Sequence, residues 1–279
     1  MEKSASFPSQ LRWWRERRGM AQLELSGLAE VSQRHLSFLE LGRTAPSREM
    51  VLRLAAALDV PLRQQNALLL AAGFAPVWRE TPLGAPQLAI VDQALNFMLA
   101  QQEPYPAFVV DRRWHLLRTN GGGRNLVEFL TDTPLGELDP AQPINLADAL
   151  LAPDALRPLI VNWLDVAHYF VRSVHADALV DGRSETAALL ERLLAYPDVP
   201  RIADVPVLDN DVGPVLAIRF AKGDSSLVLF TTLATLGTPQ DVTAQEIRIE
   251  CFFPVNEATG AVLREWAAKR TRSPAADGA

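Results

Sequence analysis

The chain has 279 residues, 48% of them apolar, which suffices to bury the core of one large or two ordinary domains. Its formal net charge of -6 argues at first against a nucleic-acid partner, and the single cysteine, Cys251, excludes an internal disulfide and every multi-cysteine metal motif. No run of about 18 apolar residues that could cross a membrane occurs, and the N-terminus lacks the apolar core of a signal peptide. We therefore expect a cytoplasmic protein without a membrane partner.

Charge is distributed unevenly along the chain. Residues 1–75 contain ten Lys and Arg and seven Asp and Glu, a net charge of +3, which leaves -9 for residues 76–279. Because attraction to phosphate acts locally, a basic module joined to an acidic one remains compatible with nucleic-acid binding.

The first 75 residues have the pattern of five short helices separated by turn residues. Apolar residues recur at helical spacing before Gly19, where the first helix ends, and again over residues 22–29 and 33–41, which Gly42 terminates. Ser47 precedes a fourth helix and Pro61 a fifth that runs to Ala72. Residues 73–86 include three prolines and two glycines, so we interpret 76–86 as a linker.

The second and third helices meet the demands of a helix-turn-helix, in which the second helix lies in the DNA major groove. A small residue, Ser26, lies where the helices would cross, and the polar Gln22 opens the first of them. The apolar residues needed across the turn are Leu25, Val31, Leu36 and Leu39. This pattern predicts sequence-specific binding to double-stranded DNA, with an all-helical bundle without a DNA role as the alternative.

The second half predicts an α+β domain over residues 87–270. An amphipathic helix over 87–99 precedes a β-hairpin over 107–120 that turns at Asp111 and Arg112, then a helix over 125–130 and a helical region over 144–196. Strands over 215–222, 227–235 and 247–253 and a helix over 260–269 follow. This order is that of a PAS-like domain with an antiparallel sheet, and we expect the tail, 271–279, to be disordered.

Residues 8–72 resemble the Cro and phage-repressor (XRE) family, most clearly at Val31-Ser32, Leu36-Ser37, Leu39-Glu40, Gly42-Arg43 and Pro46-Ser47. The resemblance implies a salt bridge between Arg15 and Glu40. The sequence departs from the family pattern at Glu30, where the family usually has glycine. It also implies a set of DNA-contacting residues. Those expected to face base edges are Gln33, Arg34, Ser37 and Phe38, and those expected to bond phosphates are Gln22, Arg43 and Arg48. Ser32, at the start of the recognition helix, completes the set.

The longer pattern that runs from Ser47 to Asn120 resembles the MmyB-like subgroup of these regulators. That resemblance implies a PAS-like domain that binds a small apolar ligand, with fatty acyl chains as plausible occupants. The candidate ligand-binding residues are Phe108, Trp114, Leu116, Asn120, Trp163, His168, Phe170, Arg172, Phe220 and Phe230. Aromatic residues at strand and helix spacing are equally the ordinary contents of a core, and Asn120 could instead cap the helix that follows it.

Other functions have weaker support in the sequence. His168, Arg172 and His175 share a helical face, which a metal or haem site would need, but a solvated face or an anchor for a carboxylate explains them as well. Neither GxSxG nor HExxH occurs. We therefore expect no enzyme, no metal and no cofactor apart from a bound fatty acid. The alternatives are an XRE-fold scaffold for protein interactions and an acyl-ligand-processing enzyme.

One recognition helix reads only a few base pairs, and two-fold symmetric proteins double the site by reading inverted half-sites. We therefore expect a homodimer, formed through the helices at 87–99 and 156–179.

Overall fold

The computed structural model describes residues 6–139, 141–181, 183–204 and 215–272. The chain divides into two compact units. The first contains Met1–Pro82 with two later segments, Leu179–Gly182 and Thr238–Gln245, and the second contains the remainder. The boundary at Pro82 falls within the segment that the sequence marks as a linker. The expected disorder of the tail concerns residues that, from 273 onward, lie outside the described part of the chain.

The first unit contains the five predicted helices. They are α1 (Phe7–Arg17), α2 (Gln22–Leu28), α3 (Gln33–Glu40), α4 (Arg48–Ala57) and α5 (Leu62–Ala71). Short-range chemistry sets their ends. Gly19 and Gly42 adopt the left-handed backbone that follows α1 and α3, and the hydroxyls of Ser32 and Ser47 accept hydrogen bonds from the third amide of the helices they precede.

Residues 77–81 are held against the first unit instead of forming a free linker. The Asn66 side chain accepts hydrogen bonds from the amides of Val77 and Trp78 at 3.0 Å and donates to the carbonyl of Trp78. The later segment of this unit contributes Asp241, which accepts a hydrogen bond from the Thr81 hydroxyl at 2.6 Å. Fixed partners of this kind order the backbone of a segment whose composition alone indicated flexibility.

The second unit is built on a five-stranded antiparallel sheet. Its strands are β1 (Ala107–Val110), β2 (Leu116–Thr119), β3 (Ala217–Lys222), β4 (Ser225–Thr235) and β5 (Arg248–Pro254), in the order β2-β1-β5-β4-β3. Gly223, with a positive φ, makes the tight turn between β3 and β4 that the sequence predicts. The α+β class and the antiparallel sheet are confirmed.

Helices cover both faces of this sheet. The later helices are α6 (Ala89–Gln102), α7 (Gly121–Thr131), α8 (Leu146–Leu151), α9 (Trp163–Asp181), α10 (Ser184–Leu194), α11 (Val242–Glu246) and α12 (Glu257–Arg272), with short 3-10 turns at Pro86–Leu88 and Arg157–Leu159. Side chains alternate along β5, so that Ile249 and Cys251 pack with α6 on one face while Phe252 joins the larger core on the other.

The glycine run at 121–123 forms the first turn of α7, four residues earlier than predicted. A Cβ on Gly122 would lie 2.5 Å from the Pro104 carbonyl oxygen, and one on Gly123 would lie 2.0 Å from the Thr119 hydroxyl. Glycine is therefore required here by the close approach of α7 to β1 and β2, a tertiary demand that overrides its poor helix propensity.

Candidate functional site

The turn between α2 and α3 has the packing that a helix-turn-helix requires. Leu25, Leu36 and Leu39 are fully buried, and the buried hydroxyl of Ser26 donates to the Leu23 carbonyl, which satisfies it inside the helix crossing. Glu30 has a φ of 53°, in the left-handed region, as expected at a position where the family uses glycine. A non-glycine residue there costs roughly 1 kcal/mol, and the fold tolerates it.

The predicted DNA-contacting residues of α3 lie on its outer face. Gln33 and Arg34 are exposed, and Phe38 is half-buried. Two guanidinium groups flank the Phe38 ring, that of Arg34 at 5.3 Å and that of Arg43 at 5.8 Å from its centroid. Cation–π contacts of this length hold both cations on one surface without consuming their hydrogen-bond donors. The remaining candidates of this surface are exposed or half-buried: Ser32, Ser37 and Arg48.

Gln22 takes part in a buried ionic cluster, which the sequence did not indicate. Its amide donates to one carboxylate oxygen of Glu40 at 2.8 Å, and Arg15 binds both oxygens, at 2.6 and 3.0 Å. Burial disfavours the charged carboxylate, but the hydrogen bonds from Arg15 and Gln22 and the nearby charges, which include Arg12, hold the pKa of Glu40 below its ordinary value. The expected salt bridge between Arg15 and Glu40 is confirmed, and Gln22 helps to orient it.

The second unit contains an apolar cavity of about 380 Å³ on the face of the sheet opposite α6. That volume is within the range of small-molecule sites in proteins. Most of the wall is formed by α9 on one side and by strands β3 to β5, with the residues just before β3, on the other. The lining residues are Trp114, Leu150, Val166, Tyr169, Phe170, Ser173, Val215, Leu216, Ile218, Thr231, Glu250 and Phe252.

Two of the sequence-predicted ligand residues line this cavity. Trp114 and Phe170 contact each other there, with ring centroids 4.5 Å apart. Trp114 also has a positive φ of 66°, which is costly for a bulky side chain, and its enclosed indole N–H has no hydrogen-bond partner among the described residues. Backbone strain and an unsatisfied donor at a cavity wall are typical of functional positions.

The other candidates lie elsewhere in the domain. Four of them are buried in the surrounding core without reaching the cavity wall: Phe108, Leu116, Trp163 and Phe220. Phe230 points to the opposite face of the sheet, because it is offset by one residue from Leu229 and Thr231, and it stacks on Phe253.

Asn120 has a structural role and does not line the cavity. Its side-chain oxygen accepts hydrogen bonds from the amides of Ala107 and Gly123, and its amide group donates to the carbonyl of Tyr105 at 2.8 Å. With these bonds it caps α7 and ties that helix to β1, which is the second of the two roles open to it from the sequence.

The polar residues of α9 named from the sequence lie outside the lining of the cavity. His168 is buried and Arg172 is exposed, and neither lines the cavity, so they supply no anchor for a carboxylate there. Within the described residues, no group of three or more His, Cys, Asp or Glu side chains is arranged to hold a metal ion. None of the described helices has both the length and the apolar character that a membrane span needs.

The polar end of the cavity is formed by residues that the sequence analysis missed. The Glu250 carboxyl on β5 and the Thr231 side chain on β4 are diagonal neighbours across the strand pair, and both line the cavity. Burial raises the pKa of Glu250 to about 7, and the nearby Thr231 hydroxyl offsets this rise only partly. The sequence signal was available but ambiguous, since a single Glu inside the apolar strand at 247–253 could equally face solvent.

Both domains of the chain match known protein families. Residues 91–265 match the family described as MmyB-like transcription regulator ligand binding domain, which is more than half of the chain. The chain belongs to the MmyB-like transcription regulators. Residues 11–65 of this MmyB-like regulator match the helix-turn-helix family, so that each match falls within one of the two predicted domains. The matched domains are those of a DNA-binding transcription regulator with a ligand-binding domain.

Comparison of this MmyB-like regulator with curated proteins gave no match. One solved structure that it matches is described as "Structure of an RNA-binding Light-Oxygen-Voltage Receptor", with 13% sequence identity and a TM-score of 0.28. That match covers 96% of this chain and 64% of the other, so the chain spans less than two thirds of the receptor's length.

Proposed function

We propose that this regulator is a ligand-responsive, sequence-specific DNA-binding protein of the cytoplasm, whose second domain binds a small, largely apolar molecule with the shape of a fatty acyl chain. The observation that carries this proposal is the apolar cavity bounded by α9 and the sheet, in a domain of a ligand-binding family that shares its chain with a helix-turn-helix.

On this proposal, some residues of the exposed surface around α3 read bases and others contact phosphates. Gln33 and Arg34 are placed to read base edges, since glutamine pairs well with adenine and arginine with guanine in the major groove. Arg43 and Arg48 contact phosphates and set the register. Gln22 retains a second amide hydrogen for phosphate while the first is bound by Glu40.

Ligand affinity in this proposal comes mainly from removing an acyl chain from water. A chain of about twelve methylenes gains on the order of 10 kcal/mol at ~0.8 kcal/mol per buried CH₂. The loss of translational and conformational freedom on binding offsets much of this favourable free energy, which leaves a complex of roughly micromolar or tighter affinity.

A homodimer is part of the proposal, because one recognition helix reads only a few base pairs and two-fold symmetry doubles the site. The helices named from the sequence present apolar side chains to solvent. On α6, Ile90 and Phe97 lie two turns apart and are 78% and 62% exposed, and on α9 Leu164 and Tyr169 are exposed as well. Exposed apolar groups at helical spacing suit an isologous contact.

A bound ligand alters DNA affinity only if it favours one conformation of the chain over another. The covalent path for such an effect is short. The segment Thr238–Gln245 belongs to the first unit. Its last side chain, that of Gln245, accepts a hydrogen bond from the Leu62 amide at the start of α5. Strand β5 begins at Arg248, three residues after Gln245. Any displacement of β5 by a ligand therefore acts on this segment.

The test is to purify the regulator natively, denature it and identify the released small molecules by mass spectrometry. We expect an apolar compound at close to one equivalent per chain. Ser173→Phe should abolish its retention, because Ser173 lines the cavity on α9, whereas Ser173→Ala should retain it. Protein that releases no compound and whose melting temperature ignores added acyl-chain compounds would contradict the ligand-binding proposal.

A further inference from the structure

The cavity has one charged group in its described lining, and that group is an acid. Glu250 and Phe252 point into the cavity from β5, while Thr231 lies on the neighbouring strand β4. The directly opposite residues on the adjacent strands are Phe108 and Leu233, both apolar. Glu250 is therefore flanked by hydrocarbon along the sheet, and it lines the cavity.

The described part of this wall offers no cationic partner to an acidic ligand. None of the described lining residues is Lys, Arg or His. The nearest cation along the same face of β5 is Arg248, and both of its terminal nitrogens are bound by the two carboxylate oxygens of Asp177 at 2.5 Å. That pair is electrically neutral, and two of the five N–H donors of Arg248 are used in it.

Among the described lining residues, the neutral side-chain donors are the hydroxyls of Thr231, Tyr169 and Ser173 and the indole N–H of Trp114. Tyr169 is 64% exposed, and the Trp114 N–H is fully enclosed. Isolated hydroxyls beside an acid cannot replace the hydration of an ionised carboxylate, whose transfer into an apolar site is costly without a charged or multiple hydrogen-bond partner.

We propose that the ligand of this cavity ends in a hydrogen-bond donor, a hydroxyl or an amine, that binds the Glu250 carboxyl beside Thr231, and that an ionised carboxylate is excluded from this position. The inference rests on the proposed ligand-binding function and specifies its chemistry: the ligand resembles a fatty acyl chain in shape but not in its polar end. A half-buried carboxyl whose pKa is raised by desolvation gains most from a ligand that supplies a hydrogen-bond donor.

The experiment compares three probes of equal chain length, decan-1-ol, decylamine and decanoate, on the full chain by titration calorimetry at about pH 8, where Glu250 is largely ionised. We expect the alcohol and the amine to bind wild type at least about tenfold more tightly than decanoate. Glu250→Gln should weaken decylamine binding about tenfold and remove the discrimination against decanoate. Glu265→Gln, an exposed carboxylate on α12, is the matched charge control and should leave all three affinities unchanged.

The alcohol separates a specific donor from general attraction of the amine to an acidic protein. Decanoate that binds wild type as tightly as decan-1-ol would overturn the inference and leave the proposed ligand site standing, and this comparison needs no variant. An unchanged order of affinities in Glu250→Gln would also overturn it. Binding of none of the three probes would overturn the proposed ligand site together with the inference.

Discussion

Arg15 binds both carboxylate oxygens of Glu40, whose side chain has no exposed surface. The pair joins α1 to the C-terminal end of the recognition helix α3, and the amide of Gln22 adds a link to the start of α2. Three helices are thus fixed through one carboxylate. The orientation of the recognition helix therefore depends on the ionisation of Glu40 as well as on the apolar core.

Replacing Glu40 with glutamine should destabilise the helix-turn-helix domain by about 2 kcal/mol near neutral pH, less than for a fully buried pair, because Arg15 keeps contact with solvent. The pKa of Glu40 is lower in the folded state, so its contribution is present above the ordinary value of 4.5 and is lost as the pH falls through the folded value. Calorimetric unfolding should show the two proteins converging in acid, with Glu49→Gln as control. A constant difference across the pH range would contradict this assignment.

The two classes of DNA contact should separate by mutation. Arg34→Ala should relax base preference at one or two positions of a selected operator by about 1–3 kcal/mol, because it removes a base contact. Arg48→Ala should weaken all sequences alike and lower the slope of log affinity against log salt by about one. Arg53→Ala, an exposed arginine of α4 outside the proposed surface, controls for charge. Unchanged operator binding in both variants would show that α3 is not the recognition helix.

Local chemistry made the first domain predictable from sequence. Serine caps, glycine stops and apolar spacing act within one or two turns, and they placed all five helices near their observed positions. The Arg15 and Glu40 pair, which joins distant parts of the sequence, was implied only by the family resemblance. The strands of the second domain followed from alternation and from the turn at Gly223. The sequence analysis thus predicted the fold class and the topology of the hairpins.

Tertiary demands were not predictable in the same way. The helical start at Gly121 depends on how closely α7 approaches β1, and the order at Val77 and Trp78 depends on the side chain of Asn66. The cavity wall depends on which face of β5 meets α9. Glu250 and Ile249 are adjacent, so their side chains point to opposite faces of the sheet. Only the sheet register determines which of the two points into the cavity.

The dimer proposal predicts that a charge on the exposed face of α6 separates the protomers. Phe97→Asp should reduce the mass measured by light scattering from two chains to one, since it buries a carboxylate in an apolar contact. Val255→Asp, at an exposed valine after β5, should leave the mass unchanged. A wild-type protein that is monomeric both free and on its operator would rule out the dimer.

Glu250 should make the second domain less stable as the pH rises. Its folded pKa of about 7 lies above the ordinary 4.5, so the protonated form is the one that folding favours, and its contribution is complete below 4.5 and lost as the pH rises through about 7. The full effect is on the order of 3 kcal/mol. Glu250→Gln should remove this dependence and be the more stable protein at about pH 8. Calorimetric curves of the two proteins that stay parallel from acid to alkaline pH would place Glu250 in a solvated environment instead.

The claim that ligand binding controls DNA binding is tested most directly by one pair of titrations. An operator is selected from random DNA with the full chain, and its affinity is measured by fluorescence anisotropy with and without saturating ligand, using the molecule recovered from the native protein or decan-1-ol. We predict a change of about tenfold or more, corresponding to a coupling free energy of about 1.4 kcal/mol. Equal affinities under conditions where calorimetry shows the cavity to be saturated would contradict the account and leave a regulator whose second domain binds a ligand without sensing it.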